Sequence, residues 1–297
     1  MKKSAIAATL LGSLLAGAAF AQAPQPGENI SFLACPIMQD TDTVPCWMAE
    51  YEGEKYFLGI QTDASGWPAP YLKHRILVEG RVADDMPRVC GGIVLESSGT
   101  PFERGPSGTV AGKTLPNPPV TSNMRELDLS CNTILPANER YNNFEPRRGP
   151  GPNVKRLPPT QEQIAARQAR AEEERKAAIP VPPYQPRSFL LHYEFDSELA
   201  VLNIGNARAA LEYARVIDAG RIRITAHRAS SLLSDGTQLM EVEYIARKRA
   251  EELAAVMRQL GIPEGIDLEV IWNDDVVMGD GIDDWEGRVT EIAVFPG

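Results

Sequence analysis

RIRITAH at 221–227 and VEYIARKRAEELAAVMRQLG at 242–261 decide the fold of the last third of this 297-residue chain. In the first stretch Ile222, Ile224 and Ala226 alternate with Arg221, Arg223 and Thr225, the period of a strand with one buried face. In the second, Ile245, Ala246, Leu253, Val256, Met257 and Leu260 keep helical spacing up to a stop at Gly261, with Pro263 just beyond. Upstream, 188–195 reads as a strand. Positions 207–219 read as a helix with Ala210, Leu211, Ala214 and Ile217 inward. Downstream, 266–272 and 289–295 read as strands. Strand, helix, strand, helix, strand, strand over 187–297 predicts a βαβαββ sandwich with helices covering one face of a mixed sheet.

The preceding residues read differently, so the expected fold class is α+β with two domains. Over 28–140 short apolar runs at 30–38, 46–51, 55–60, 76–82 and 91–95 alternate with turns, including Glu52-Gly53 as a hairpin, while 97–123 reads as a long loop. This predicts a small all-β, barrel-like domain, with a five-stranded barrel as the specific expectation. Trp47, Tyr51, Trp67 and Tyr71 are candidates for a binding surface, with core packing an equal account of Trp47 and Tyr51. All four cysteines, Cys35, Cys46, Cys90 and Cys131, fall here, without the paired spacing of a zinc site. Two disulfides are expected, and the short first interval favours Cys35 with Cys46 and Cys90 with Cys131.

Residues 141–186 are rich in Pro, Arg, Ala and Glu and read as a linker, with a polar helix over 160–178 opened by Thr160 and Gln163 as a capping box. Such a spacer would hold the two domains apart. At the other end, Lys2 and Lys3, an apolar run over 5–20 and the triplet Ala19-Phe20-Ala21 predict a signal peptide over 1–21. No Cys follows to take a lipid and no later run is long enough to cross a bilayer, so export to the periplasm as a soluble chain is expected. The net charge of -10 argues against nucleic acid and anionic membrane as partners.

Four segments of the last domain resemble the OmpA-like, peptidoglycan-associating family. Tyr193-Glu194-Phe195-Asp196-Ser197 resembles its opening strand and turn, and 222–227 its strand ending in Gly-His, with Ala226 for Gly. Residues 245–250 resemble its L-S-x-x-R-A helix start, and Gly287-Arg288-Val289 its closing strand. The resemblance implies non-covalent association with peptidoglycan, at the outer membrane or cell wall, without catalysis or cofactor. Its diaminopimelate ligand is zwitterionic, so the site needs a carboxylate for the ammonium and a guanidinium for the carboxylate. Arg249 stands at the Arg position, and Ala229 stands where the Asp belongs. Asp235, in a segment about five residues longer than the family's spacing, is the candidate substitute, and His227 a candidate polar contact. The plainer readings put Arg249 on a solvated basic face with Arg247 and Lys248, Asp235 in a turn, and His227 in the structure. Two functions follow: a peptidoglycan tether carrying a β module that meets an envelope protein, or an interaction adaptor that has lost peptidoglycan binding.

Other chemistry has little support. The carboxylates of 273–287 lack the order of a calcium-binding EF-hand loop, so a solvated acidic loop is expected, with Trp285 either its anchor or an exposed contact residue. His74, His192 and His227 are scattered, and no nucleophile or metalloprotease motif occurs.

Overall fold

The computed structural model describes residues 24–42, 44–60, 69–85, 88–97, 109–110, 113–141, 144–145, 160–178, 180–198 and 204–297. The segment expected to be a signal peptide, 1–21, Trp67 and the Pro-rich flank at 146–159 lie outside the described residues.

Six strands open the chain: β1 (Asn29–Ala34), β2 (Pro36–Gln39), β3 (Cys46–Tyr51), β4 (Glu54–Ile60), β5 (His74–Val82) and β6 (Ile93–Glu96). Between β3 and β4, Glu52 and Gly53 both take positive φ, 51° and 80°, the primed turn whose twist suits a hairpin. Next come β7 (Thr109–Val110), β8 (Lys113–Thr114), β9 (Val120–Leu127), β10 (Thr133–Leu135) and β11 (Phe144–Glu145). β9 occupies the end of the segment read as a loop. Its Val120, Thr121 and Ser122 are buried against β5.

Eight of these strands form one sheet in the order β1-β5-β6-β4-β3-β2-β10, with β9 also on β5. The expectation of a five-stranded barrel is therefore corrected to an eight-stranded open roll, since β1 and β10 are not paired to each other. Both faces of the β3–β4 ribbon are covered. Trp47, Ala49, Tyr56 and Leu58 enter one core with Phe32, while Cys46, Met48, Phe57 and Ile60 enter another.

The disulfides are Cys35–Cys131 and Cys46–Cys90, which corrects the expected pairing. The reason is register. β2 and β3 are antiparallel with Gln39 opposite Cys46, so Cys35 lies four residues further along, about 13 Å away at the rise of a strand. A bridge needs Cα atoms within about 7 Å. Cys35–Cys131 instead ties the β1–β2 junction to the turn before β10. Replacing Cys35 and Cys131 together by Ala is expected to lower stability by about 2–4 kcal/mol, read from urea denaturation.

Helix α1 (Gln161–Ala178) follows, then β12 (Arg187–His192), α2 (Ile204–Val216), β13 (Ala219–Leu232), β14 (Gln238–Met240), α3 (Ile245–Leu260), β15 (Asp267–Val277) and β16 (Val289–Pro296). The sheet runs β12-β16-β13, with β15 parallel to β13 on its other side. Phe189, Leu191, Ile222, Ile224, Ile292 and Val294 project from one face and meet Ala207, Leu211 and Ala214 of α2 and Ala250, Leu253 and Met257 of α3. Gly261 ends α3 at φ 87°, donating its N–H to Arg258 O, a backbone state that a side chain disfavours.

The two modules are docked, not held apart. Leu77, Phe195 and Leu233 form a small core across the junction, with Leu33, Met124 and Leu239 packed against it. Phe195 N–H donates to Ser122 Oγ at 2.8 Å, and Ser31 N–H to Ser234 Oγ at 3.0 Å. Arg288 Nη2 donates to Glu79 Oε2 at 2.5 Å and Nη1 to Oε1 at 3.0 Å, and neither residue is appreciably exposed. The linker's composition carries no trace of this contact, because the joining residues lie in strands on either side of it.

Candidate functional site

The site built on Arg249 is closed from within. Arg249 lies on the buried stripe of α3 with Ile245, Ala246, Ala250, Leu253, Ala254 and Met257, and its exposure is 0%. A guanidinium has five N–H donors, and here each has an internal acceptor. Nε donates to Ser197 O at 2.9 Å. Nη1 donates to His227 O at 3.2 Å and to Glu241 Oε2 at 3.0 Å. Nη2 donates to Glu194 O at 3.2 Å and to Glu241 Oε1 at 2.5 Å. The guanidinium carbon lies 4.5 Å from the centre of the Tyr193 ring, which covers it further.

Glu241 is the residue that sequence reasoning missed. Its exposure is 2%, and besides Arg249 it accepts the N–H of Asp196 on Oε1 at 3.0 Å and of Ala229 on Oε2 at 2.9 Å. The extra residues after Ala229 make the β13–β14 hairpin, with Ser230 opposite Met240. This hairpin returns the chain so that Glu241 lies beside Ala229, where its carboxylate pairs with Arg249. Ala229 itself is fully buried, and a Cβ added at Gly287 would lie 3.1 Å from its methyl, so the two chains approach closely here.

The sequence-predicted residues therefore do not converge. Arg249 as a ligand contact is corrected, because no donor remains for a foreign carboxylate; the solvated basic face is corrected too, because its side chain points inward. Arg247 does lie on the exposed face, paired with Glu251 at 2.7 Å. Asp235, the candidate substitute carboxylate, is not among Arg249's hydrogen-bond partners. It is exposed in the β13–β14 turn and accepts Thr237 N–H at 2.8 Å, which, with Thr237's side chain, holds its carboxyl below the usual range. His227 gives Arg249 its backbone carbonyl rather than its ring. Asp196 is 8% exposed at φ 55° and accepts Val242 N–H at 2.8 Å, binding the turn after β12 to the start of α3. Burial pushes its carboxyl up, and Glu241 adds to this while the Val242 N–H opposes it.

The acidic segment is more ordered than a solvated loop. Asp284 accepts the N–H groups of Leu232, Asp280 and Gly281, and Trp285 is buried edge-on against His192 at 5.3 Å. Trp285 is the anchor.

Beside the closed site an open pocket of about 450 Å³ lies between the start of α3 and β15, lined by Arg228, Glu243, Tyr244, Arg247, Trp272 and Asp274. It carries both signs of charge and two aromatic walls. The register of β13 on β15 shifts here, His227 facing Asn273 while Arg228 faces Val276, and the resulting bulge carries Asp274. Among the described residues no helix is long and apolar enough to cross a membrane.

No family model matches the sequence, and no curated protein matches it. Among solved structures the chain is similar to the OmpA-like domain of FopA1 from Francisella tularensis subsp. tularensis SCHU S4, at 18% identity over 37% of this chain and 73% of that one, with a TM-score of 0.27. The similarity is to an OmpA-like segment.

Proposed function

We propose that the chain is a non-enzymatic adaptor of the periplasm whose OmpA-like C-terminal module has exchanged a peptidoglycan site for an internal ion pair. The observation that carries this reading is that Glu241 and three backbone carbonyls take all of Arg249's donors. A stem-peptide carboxylate would have to expel Glu241 and leave it buried and unpaired, which commonly costs several kcal/mol. The β module packed on the same end of the domain then gives one rigid platform for envelope proteins. The two disulfides suit an oxidising compartment. No catalytic turnover belongs to this reading.

A second reading is favoured by the open pocket. Arg228 and Arg247 beside Glu243 and Asp274 are the charges a zwitterionic stem peptide needs, so tethering to peptidoglycan could proceed through this set. Sedimentation of the mature chain with purified sacculi separates the two. The adaptor reading expects the protein in the supernatant. Pelleting that Arg228→Ala and Arg247→Ala abolish would transfer the function to the pocket, and muropeptide release would contradict both.

A further inference from the structure

We infer that the free edge of β15, with the tip that follows it, is a docking strip for an extended segment of a partner protein in which basic and apolar residues alternate. This rests on the adaptor reading and names the partner's chemistry. Among the described residues β15 is hydrogen-bonded only to β13, so alternate residues on either side of its 274–275 bulge present N–H and C=O groups at the edge of the sheet, while the Asp275 N–H donates to Asn273 Oδ1. Extended polypeptides add to such edges as a further strand.

The side chains define what can add. Ile271 and Trp272 on the strand are more than a third exposed, as are Val277, Met278 and Ile282 at the tip. Apolar groups left in water along a free edge favour apolar groups on the added strand. Between them stand Asp267, Asp274, Asp275 and Asp280, all exposed. Arg223 and Arg247 make their ion pairs with Glu269 and Glu251, and of the four carboxylates Asp274 alone lies in the field of Arg247.

The same charges disfavour a second copy of this chain in the register that would pair the longest run of the edge. Antiparallel pairing of two β15 edges about Ile271 would bring Asp267 against Asp275 in both halves, and like charges directly opposite are destabilising. A strand carrying Lys or Arg at those positions meets attraction instead. The other edge of the sheet, β12, is shorter, and Leu190 is its one largely exposed aliphatic side chain.

The test uses the full mature chain and a fluorescent ten-residue peptide alternating Lys with Val. Binding is followed by anisotropy at low and at physiological salt, and amide hydrogen exchange is measured across the C-terminal domain. Saturable binding that weakens with salt and slows exchange in 267–277 is expected. The double variant Asp274→Lys, Asp275→Lys should weaken it at least tenfold, whereas Leu190→Lys on the opposite edge leaves it unchanged. Equal binding of a Lys-Gly peptide, or binding without slowed exchange in β15, overturns the inference, and so does concentration-dependent slowing without peptide, which would make a second copy the occupant. If the variant fails to fold, an Ile271→Asp, Trp272→Ser chain provides the same comparison. Failure of the strip while the chain stays in the sacculus supernatant leaves the adaptor reading standing. Pelleting with sacculi would remove that reading independently.

Discussion

Glu241→Ala is expected to lower the stability of the protein by about 3–5 kcal/mol, because it leaves the Arg249 guanidinium buried without a counter-charge. The loss also strands the N–H groups of Asp196 and Ala229, both of which donate to Glu241. Urea denaturation gives the size of the effect, and added formate, a carboxylate small enough for the space vacated, should restore part of it. Glu241→Leu combined with Arg249→Met should lie nearer the wild type than either single change, since removing both charges removes the desolvation cost. A Glu241→Ala chain within 1 kcal/mol of wild type would mean that Arg249 is not held as described.

The second large effect concerns the junction of the two modules. Arg288→Met leaves Glu79 as a nearly buried carboxylate with Ser231 Oγ, at 2.8 Å, as its remaining partner across the junction, and a loss of about 3–5 kcal/mol is expected. The shape of the unfolding curve is more informative than its midpoint. With the pair intact the chain should unfold as one unit, because Leu77, Phe195 and Leu233 pack across the junction. With Arg288→Met two calorimetric transitions should separate. A single transition, lowered by less than 1 kcal/mol, would show that the junction does not depend on this pair.

Much of the fold was legible before coordinates. The apolar runs over 30–38, 46–51 and 55–60 became β1 to β4 because alternation and turn residues agree locally, and Glu52-Gly53 adopted the hairpin geometry that its residues favour. The alternating 221–226 run and the 3.6-residue stripe of 242–261 fixed β13 and α3 for the same reason. What could not be read was set by distant pairing. The disulfide partners follow from the register of β2 on β3, and strand order in the N-terminal sheet depends on β6 bridging β4 and β5.

The site was misread for a different reason. Arg249 is four residues from both Ile245 and Leu253, so helical periodicity alone places it on the inward stripe, and an inward arginine demands an internal carboxylate. Helical phase and motif position thus point in opposite directions at Arg249, and the fold follows the phase. Identifying Glu241 as the partner required one more step, the recognition that the extra residues after Ala229 form a hairpin and bring the chain back. Glu79 gave no comparable sign. It sits between Val78 and Gly80 on a strand whose other face would ordinarily be solvated, and only the docking of the second module buries it.

The Arg249 Nε–H resonance, recorded by NMR in the mature chain while a diaminopimelate-containing stem tripeptide is titrated, tests the closed site most directly. A signal slow to exchange with water and unmoved at saturating tripeptide is the expected result. A saturable shift of that resonance would place a foreign carboxylate on the guanidinium and contradict the account.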